Sequence, residues 1–107
     1  MIRFFVCSLL IGSNVLLKLP AVLTHNQAGV WARNLTVALR AAPVDTQPVI
    51  ADASELTQFD SSALAVLLAC RREAMALGRT FFVQGLPPRL RQLAGLYGIA
   101  ALIPSPS

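Results

Sequence analysis

Residues 59–68, with the sequence FDSSALAVLL, join a helix-start signal to a long apolar run. Asp60 and the two serines that follow it carry short polar side chains, which can accept hydrogen bonds from the unpaired N–H groups at the beginning of a helix. The next eight residues are all apolar, and Gly78 is of a type that favours a helix C-terminus. The stretch therefore predicts a helix that begins at Asp60 or Ser61 and ends near Gly78.

Strands are predicted on both sides of this helix. Residues 49–53, VIADA, are short and start with β-branched side chains, which is typical of a buried central strand. Residues 54–59 form a predicted loop, with Leu56 and Phe59 as its apolar anchors. Residues 80–84, TFFVQ, favour β-structure. The helix is therefore expected to connect two strands of one sheet.

Another helix is predicted upstream. Thr24 and Gln27 have the spacing of a capping box, in which side chains bond to backbone N–H groups of the first turn. The helix should end near Ala42, because Pro43 disfavours helical geometry in the residue before it. Its apolar residues recur with the helical period and share one side of the helix: Ala28, Trp31, Ala32, Leu35 and Leu39.

A third helix is predicted after the strand at residues 80–84. Pro87 or Pro88 can occupy its first turn, where a missing N–H is tolerated, and Gly98 can end it. Residues 99–103 are expected to form a last strand or an extended tail. The apolar residues of this helix are predicted to share one side: Leu90, Leu93, Ala94 and Tyr97.

Residues 15–23 predict an edge strand before Pro20 and a short second strand after it, since proline is tolerated at a sheet edge. The resulting order of elements, β-β-α-β-α-β-α, predicts an α/β domain. Right-handed crossovers place consecutive helices on the same side of a sheet. We therefore expect a small mixed β-sheet of about 4–5 strands, with about three helices mainly on one face.

The composition indicates one compact domain. The chain has 107 residues, of which 55% are hydrophobic and 13% charged, and this balance excludes a disordered protein. The apolar residues exceed what one small core needs, so we expect some of them on a surface that another protein covers. The net charge is +4, but the basic residues are spread along the chain without the dense stripe of a nucleic-acid-binding protein. A mildly basic solvated surface and a basic docking surface for anionic lipid or an acidic partner both agree with this charge.

Residues that could support catalysis are few. His25 is the one histidine, and it lies at a predicted helix start. Asp52 and Asp60 could approach each other, but two carboxylates alone are a weak signal for a metal site or for acid–base catalysis. No nucleophile elbow, zinc-protease motif or phosphate loop is present. Cys7 and Cys70 lack metal-ligand spacing and are expected to be reduced thiols, with Cys70 in the core or an interface. The sequence therefore predicts neither an enzyme nor a cofactor or metal site.

Residues 1–14 are predicted to be an N-terminal extension. Residues 4–11 form an apolar run after Arg3, but a signal peptide needs a small residue where Ile11 stands. The run is also shorter than the roughly 18 apolar residues of a membrane-spanning helix. The extension could be an extra strand or short helix, a weak membrane-touching tail, or the product of a mis-assigned start. In the last case the domain begins near Val15.

The stretch FDSSALAVLL resembles the motif of the STAS family, which has the anti-sigma-factor-antagonist fold. In that motif, a strand and a loop precede an Asp-Ser/Thr-Ser/Ala-Gly/Ala-Leu sequence that opens a helix. Residues 49–56 look like the strand and the loop of the family. Ala63 departs from the pattern, because many members have glycine at this position.

The resemblance covers residues 15–103 and leaves residues 104–107 as a tail. Within it, residues 19–24, 70–74 and 86–98 are similar to the MlaB-type STAS proteins of bacterial phospholipid transport. This resemblance implies a cytoplasmic, non-catalytic adaptor that binds the ATPase subunit of an ABC-type phospholipid transporter. Such an adaptor reaches the inner membrane only indirectly, through the transporter complex, and has no nucleic-acid partner.

A second role implied by the resemblance is that of an anti-sigma factor antagonist. In the regulatory STAS proteins, the hydroxyl that matches Ser61 is phosphorylated, and an anti-sigma factor kinase is the partner. A phosphate would add about 1.5–2 negative charges at the start of the helix and change what docks there. The reading in which Ser61 and Ser62 only cap the helix also stays open at this point.

The helical period divides the central helix into two predicted sides. Leu64, Leu67, Leu68 and Met75 are expected to pack on the sheet, whereas Ser62, Ala65, Val66, Ala69 and Glu73 are expected to point away from it. The outward side is small and apolar where a solvated helix would carry charged residues, which favours a partner surface. The candidate partner-binding residues are Asp60, Ser61, Ser62, Ala65, Val66 and Ala69.

Overall fold

The computed structural model describes residues 8–11, 14–41 and 48–104. None of the helices within these ranges is both long and apolar enough to span a bilayer. In chain order, the elements are β1 (Ser8–Ile11), β2 (Asn14–Lys18), β3 (Val22–Leu23), α1 (His25–Ala41), β4 (Val49–Asp52), β5 (Gln58–Phe59), α2 (Ser62–Ala76), β6 (Phe81–Gln84), α3 (Pro88–Leu96) and a 3₁₀ helix (Ala100–Leu102).

Four of these strands form one mixed sheet in the order β1-β2-β4-β6. β1 is antiparallel to β2, whereas β2, β4 and β6 run parallel, so β4 is the central strand that the sequence predicted. The prediction that β2 is an edge strand is wrong, because β1 pairs with its other side. Pro20 lies beyond the end of β2 and therefore removes no hydrogen bond from the sheet. β3 and β5 form a separate parallel pair, and β5 lies in the segment predicted to be a loop.

The core lies on one face of the four-stranded sheet. Residues of β2, β4 and β6 alternate between buried and half-buried positions, and half-buried residues such as Ile50 and Phe82 lie outside the core. The same core contains Leu35 of α1, Leu67 of α2 and Leu90 of α3. All three helices therefore cover this face, as predicted. The sheet contributes these residues to the core: Leu17, Val49, Ala51, Phe81 and Val83.

Helix α1 begins with one half of the predicted capping box, because the Gln27 side chain accepts from the Thr24 N–H, but the Gln27 N–H donates to the Thr24 carbonyl instead of its hydroxyl. The backbone N–H of Thr24 donates to Gln27 Oε1 at 3.0 Å, and the Thr24 hydroxyl lies 2.7 Å from the same oxygen. The five apolar residues predicted to share one side of α1 are buried or packed against the core. α1 packs beside α2, and Arg40 Nε donates to Glu73 Oε2 at 3.0 Å across the two helices. Side-chain hydrogen bonds therefore hold α1 at both ends, from Gln27 at its start and from Arg40 near its end.

The segment after α3 differs from the prediction. Residues 99–103 contain a 3₁₀ turn rather than a strand, and buried Ile103 anchors it to the core. The chain then reaches β6, where the Val83 N–H donates to the Pro104 carbonyl at 2.8 Å. The prediction that Tyr97 packs on the core is wrong. Tyr97 is the C-cap of α3, beyond the buried side of the helix, and is 56% exposed.

Candidate functional site

Asp60 joins the beginnings of two helices. Its Oδ1 accepts a hydrogen bond of 2.8 Å from the backbone N–H of Ser62, at the start of α2. Its Oδ2 accepts a hydrogen bond of 3.1 Å from the backbone N–H of His25, at the start of α1, and lies 3.3 Å from His25 Nδ1. Both helices therefore begin at one carboxylate, which satisfies an unpaired N–H group of each.

These contacts favour the ionised form of Asp60. The hydrogen bond from the Ser62 backbone is the main cause that lowers the pKa of Asp60 below its ordinary value. The hydrogen bonds from His25 act in the same direction, while partial desolvation opposes them. A negative charge at this position is also favoured by the partial positive charge of two helix N-termini. Asp60 is therefore a negatively charged cap that α1 and α2 share.

Ser61 has no such structural role. Its backbone is helical, with φ −63°, and its side chain makes no capping hydrogen bond. The side chain is exposed, whereas Ser62 is half-buried and its backbone N–H donates to Asp60. The interpretation that both serines only cap the helix is therefore wrong for Ser61. Its hydroxyl is available at the mouth of α2.

The predicted orientation of α2 needs correction. Val66 was expected to point away from the sheet, but it is only 1% exposed and belongs to the core. Met75 was expected to pack on the sheet, but it is 54% exposed. Glu73 is engaged by Arg40 of α1 rather than facing solvent freely. The physical reason is the packing of α1 against one flank of α2, which rotates the buried side toward α1. The buried face of α2 consists of Ala63, Leu64, Val66, Leu67, Cys70 and Ala74.

The exposed side of α2 keeps two of the other predicted residues, Ala65 and Ala69. Ala65 is exposed and Ala69 is half-buried, and they lie one turn apart on the same side as Ser61. Arg72 could have indicated this orientation, because a charged side chain usually points to solvent. Residues three, four and seven positions away share its side of the helix, and these are Ala69, Ala76 and Ala65. We call this side the α2 outer surface, and it consists of Ser61, Ala65, Ala69, Arg72, Met75 and Ala76.

The carboxylates and the thiol have separate structural roles. Asp52 Oδ1 accepts a hydrogen bond of 3.0 Å from the Ser54 backbone, so Asp52 and Asp60 each stabilise a different turn. Gly85, with φ +70°, comes so close to this turn that a Cβ atom there would lie 2.8 Å from Ser54 Cβ. Burial, with a smaller effect from the charge of Glu73, raises the pKa of the Cys70 thiol to about 12. Cys70 is thus a core residue, while Cys7 lies outside the described residues.

Sequence reasoning did not assign His25 to this site. It treated His25 as a solvated residue of a first helical turn, and the side chain is indeed 75% exposed. Its contact with Asp60 spans 35 positions of sequence, so no local pattern could predict it. The parallel arrangement of the strands that precede α1 and α2 brings these helix starts together at one edge.

Comparisons with known proteins agree with this fold. A family model described as "Mlab, STAS domain" matches residues 11–104. An anti-sigma-factor antagonist (STAS) domain protein from Planctomyces limnophilus superimposes with a TM-score of 0.73 at 16% identity, over 87% of this chain and 81% of that one. The anti-sigma factor antagonist SpoIIAA in its unphosphorylated form gives a TM-score of 0.68 at 20% identity, over 88% and 80%. A comparison with curated protein sequences gave no match.

Proposed function

The chain belongs to the MlaB-type STAS family, and on this premise we propose that it is a non-catalytic adaptor for the ATPase subunit of an ABC-type phospholipid transporter. The observation that carries the proposal is the exposed Ser61 hydroxyl, which stands at a helix start that Asp60 already caps. A short polar side chain without a capping role, next to an apolar helix side, is suited to contact with another protein. The α2 outer surface is then the contact surface for the ATPase subunit.

The chemistry of the α2 outer surface supports a close protein contact. Ala65, Ala69 and Ala76 present no side chain beyond Cβ, so a partner helix could approach the backbone of α2 closely. Met75 adds an exposed and adaptable apolar side chain at the end of this surface. Arg72 provides one positive charge, which a carboxylate of the partner could pair with. Val66, which the sequence analysis placed here, is excluded by its burial.

An adaptor role also accounts for the chemistry of the charged residues. Asp60 is held by two backbone N–H groups, and Lys18 Nζ lies 2.8 Å from Glu55 Oε2. These contacts stabilise turns and helix ends and need no substrate. In this proposal, the protein is cytoplasmic and reaches the inner membrane only through the transporter complex.

Co-purification from native membranes tests the adaptor role. The tagged wild-type chain should retain the ATPase subunit, identified by mass spectrometry, and Ala65→Arg should lose it without a change in melting temperature. Ala101→Arg is the matched control, because Ala101 is an exposed alanine outside α2 and its substitution should leave the complex intact. Retention of the ATPase subunit by a folded Ala65→Arg protein would exclude the α2 outer surface as the interface.

A signalling role is the second candidate, and the same exposed hydroxyl favours it. A phosphate on Ser61 would lie at the positive end of α2 and beside the carboxylate of Asp60, so it would alter the charge of the contact surface strongly. In this role the protein is an anti-sigma factor antagonist, and its partner is an anti-sigma factor kinase. Phosphate-affinity gels on protein from the native host decide between the two roles. A phosphorylated fraction that disappears in Ser61→Ala would favour signalling, and its absence would favour transport.

A further inference from the structure

The exposed side of α1 carries apolar residues that the core does not use. Val30 and Val37 are 54% and 52% exposed, and they lie on the opposite side from buried Leu35 and Leu39. Arg33 stands between them at helical spacing, and Gly29 adjoins Val30. We call this side the α1 outer surface, and it consists of Gly29, Val30, Arg33 and Val37.

Gly29 is not needed by the fold. It lies inside α1, where glycine destabilises a helix relative to alanine because it leaves the unfolded backbone more freedom. A Cβ atom at this position would meet nothing within 4 Å, so no internal contact demands its absence. A bare backbone beside an exposed valine and an exposed arginine allows another chain to approach α1 closely.

The positive charge of α1 indicates which kind of partner would bind there. The helix contains no Asp or Glu among its 17 residues. Arg40 is engaged by Glu73, whereas Arg33 forms no ion pair within the ranges that the structure describes. A second copy of this chain fits poorly, because antiparallel pairing of two α1 helices around Arg33 would bring two guanidinium groups together. Charge complementarity therefore requires a partner that supplies carboxylates.

We propose that the α1 outer surface is a second docking site, which binds an amphipathic acidic helix of a partner protein. The partner's apolar side chains would pack on Val30 and Val37, its backbone would approach Gly29, and a carboxylate would pair with Arg33. This site goes beyond the contact on α2 and does not depend on the identity of the ATPase subunit.

Two labelled peptides of about 21 residues, long enough to form a stable helix, serve as probes. One has leucine at the first and fourth positions of each heptad with glutamate beside them, and the other has lysine in place of each glutamate. Fluorescence anisotropy with the full chain should give at least about tenfold tighter binding of the acidic peptide. Arg33→Glu should remove this preference, whereas Arg91→Glu, a matched charge reversal at an exposed position of α3, should preserve it.

Gly29→Ala separates a docking role from a structural one. It should raise the melting temperature of the free protein and weaken binding of the acidic peptide, which are opposite effects that a merely structural glycine would not produce. Equal binding of both peptides, no binding of the acidic one, or equal loss in Arg33→Glu and Arg91→Glu would overturn the proposal. A dimer in sedimentation experiments that Val37→Arg dissociates would also overturn it, because a second copy would then be the occupant.

Discussion

The buried face and the outer surface of α2 both carry apolar residues, yet they differ in their exposure to solvent. Leu64, Val66 and Leu67 on the buried face are at most 2% exposed and fill the core between α1 and the sheet. Ala65 and Met75 on the outer surface touch solvent over much of their area. The comparison teaches that apolar composition alone does not separate a core residue from an exposed one. Substitutions on the two sides should therefore differ first in stability and then in binding.

The largest expected effect is that of a charge on the buried face. Val66→Arg should unfold the domain or lower its free energy of unfolding by at least about 4 kcal/mol, because an unpaired charge would enter the core. Ala65→Arg, one position away on the outer surface, should change it by less than about 0.5 kcal/mol. Urea unfolding followed by circular dichroism measures both. Similar losses in the two variants would mean that the faces of α2 are assigned incorrectly.

A truncation compares the two sides without introducing a charge. Leu67→Ala should lower the free energy of unfolding by about 3 kcal/mol, because Leu67 is fully buried and its removal leaves a cavity. Met75→Ala should cost no more than about 0.5 kcal/mol, since Met75 is largely exposed. Thermal and urea unfolding should agree on this order. An equally harmless Leu67→Ala would contradict the core described above.

Thiol reactivity distinguishes the two sides chemically. Burial and the raised pKa keep Cys70 protonated and inaccessible, so iodoacetamide at pH 8 should modify it at least about 100-fold more slowly than a cysteine at position 65. The comparison uses Ala65→Cys in a Cys7→Ser, Cys70→Ser background and native Cys70 in a Cys7→Ser background. Mass spectrometry follows both rates. Comparable rates under native conditions would show that the buried face opens readily.

The smallest expected effect on stability is that of Asp60, whose carboxylate caps both α1 and α2. The pKa of Asp60 is lowered in the folded protein, chiefly by the Ser62 backbone, so its ionised form adds stability that is fully present above its ordinary pKa of 3.8. This contribution is lost as the pH falls through the lower, folded-state pKa. The wild type should therefore exceed Asp60→Asn in unfolding free energy by a constant amount at neutral pH, and the gap should shrink below about pH 4. Unfolding curves between neutral and acidic pH measure the gap, and a gap that widens with acid would refute the role of Asp60.

Much of the fold could be predicted because its signals are local. The contact of the Gln27 side chain with the Thr24 N–H, the period of the apolar residues in α1 and the helix-ending Gly78 are confirmed, with Gly78 at φ +75°. The extra strand that was one interpretation of residues 1–14 is present as β1, but its pairing with β2 could not be predicted, since this pairing depends on the partner strand and not on the pattern of β1 itself. The 3₁₀ turn at residues 100–102 was also missed, because short apolar segments are ambiguous between extended and helical geometry.

The candidate site could be predicted only in part. Asp60 and Ser61 follow from the helix-start chemistry of their own segment, and the structure keeps both at the mouth of α2. The buried side of α2 could not be predicted. Residues 63–70 are apolar on all sides of the helix, so the helical period does not distinguish a buried side from an exposed one. Val66 was misplaced for this reason. His25 was missed because its contact with Asp60 is set by the sheet rather than by neighbouring sequence.

The central claim is that Ser61 contacts the partner and does not merely begin a helix. Isothermal titration of the purified ATPase subunit with wild type, Ser61→Thr and Ser61→Asp tests it most directly, with the melting temperature of each variant as the control for folding. A negative charge at a helix N-terminus suits the isolated domain, but a partner surface shaped for a hydroxyl would have to desolvate it. We predict unchanged melting for all three, retained binding in Ser61→Thr and at least about tenfold weaker binding in Ser61→Asp. Binding of Ser61→Asp with the wild-type affinity would contradict the claim.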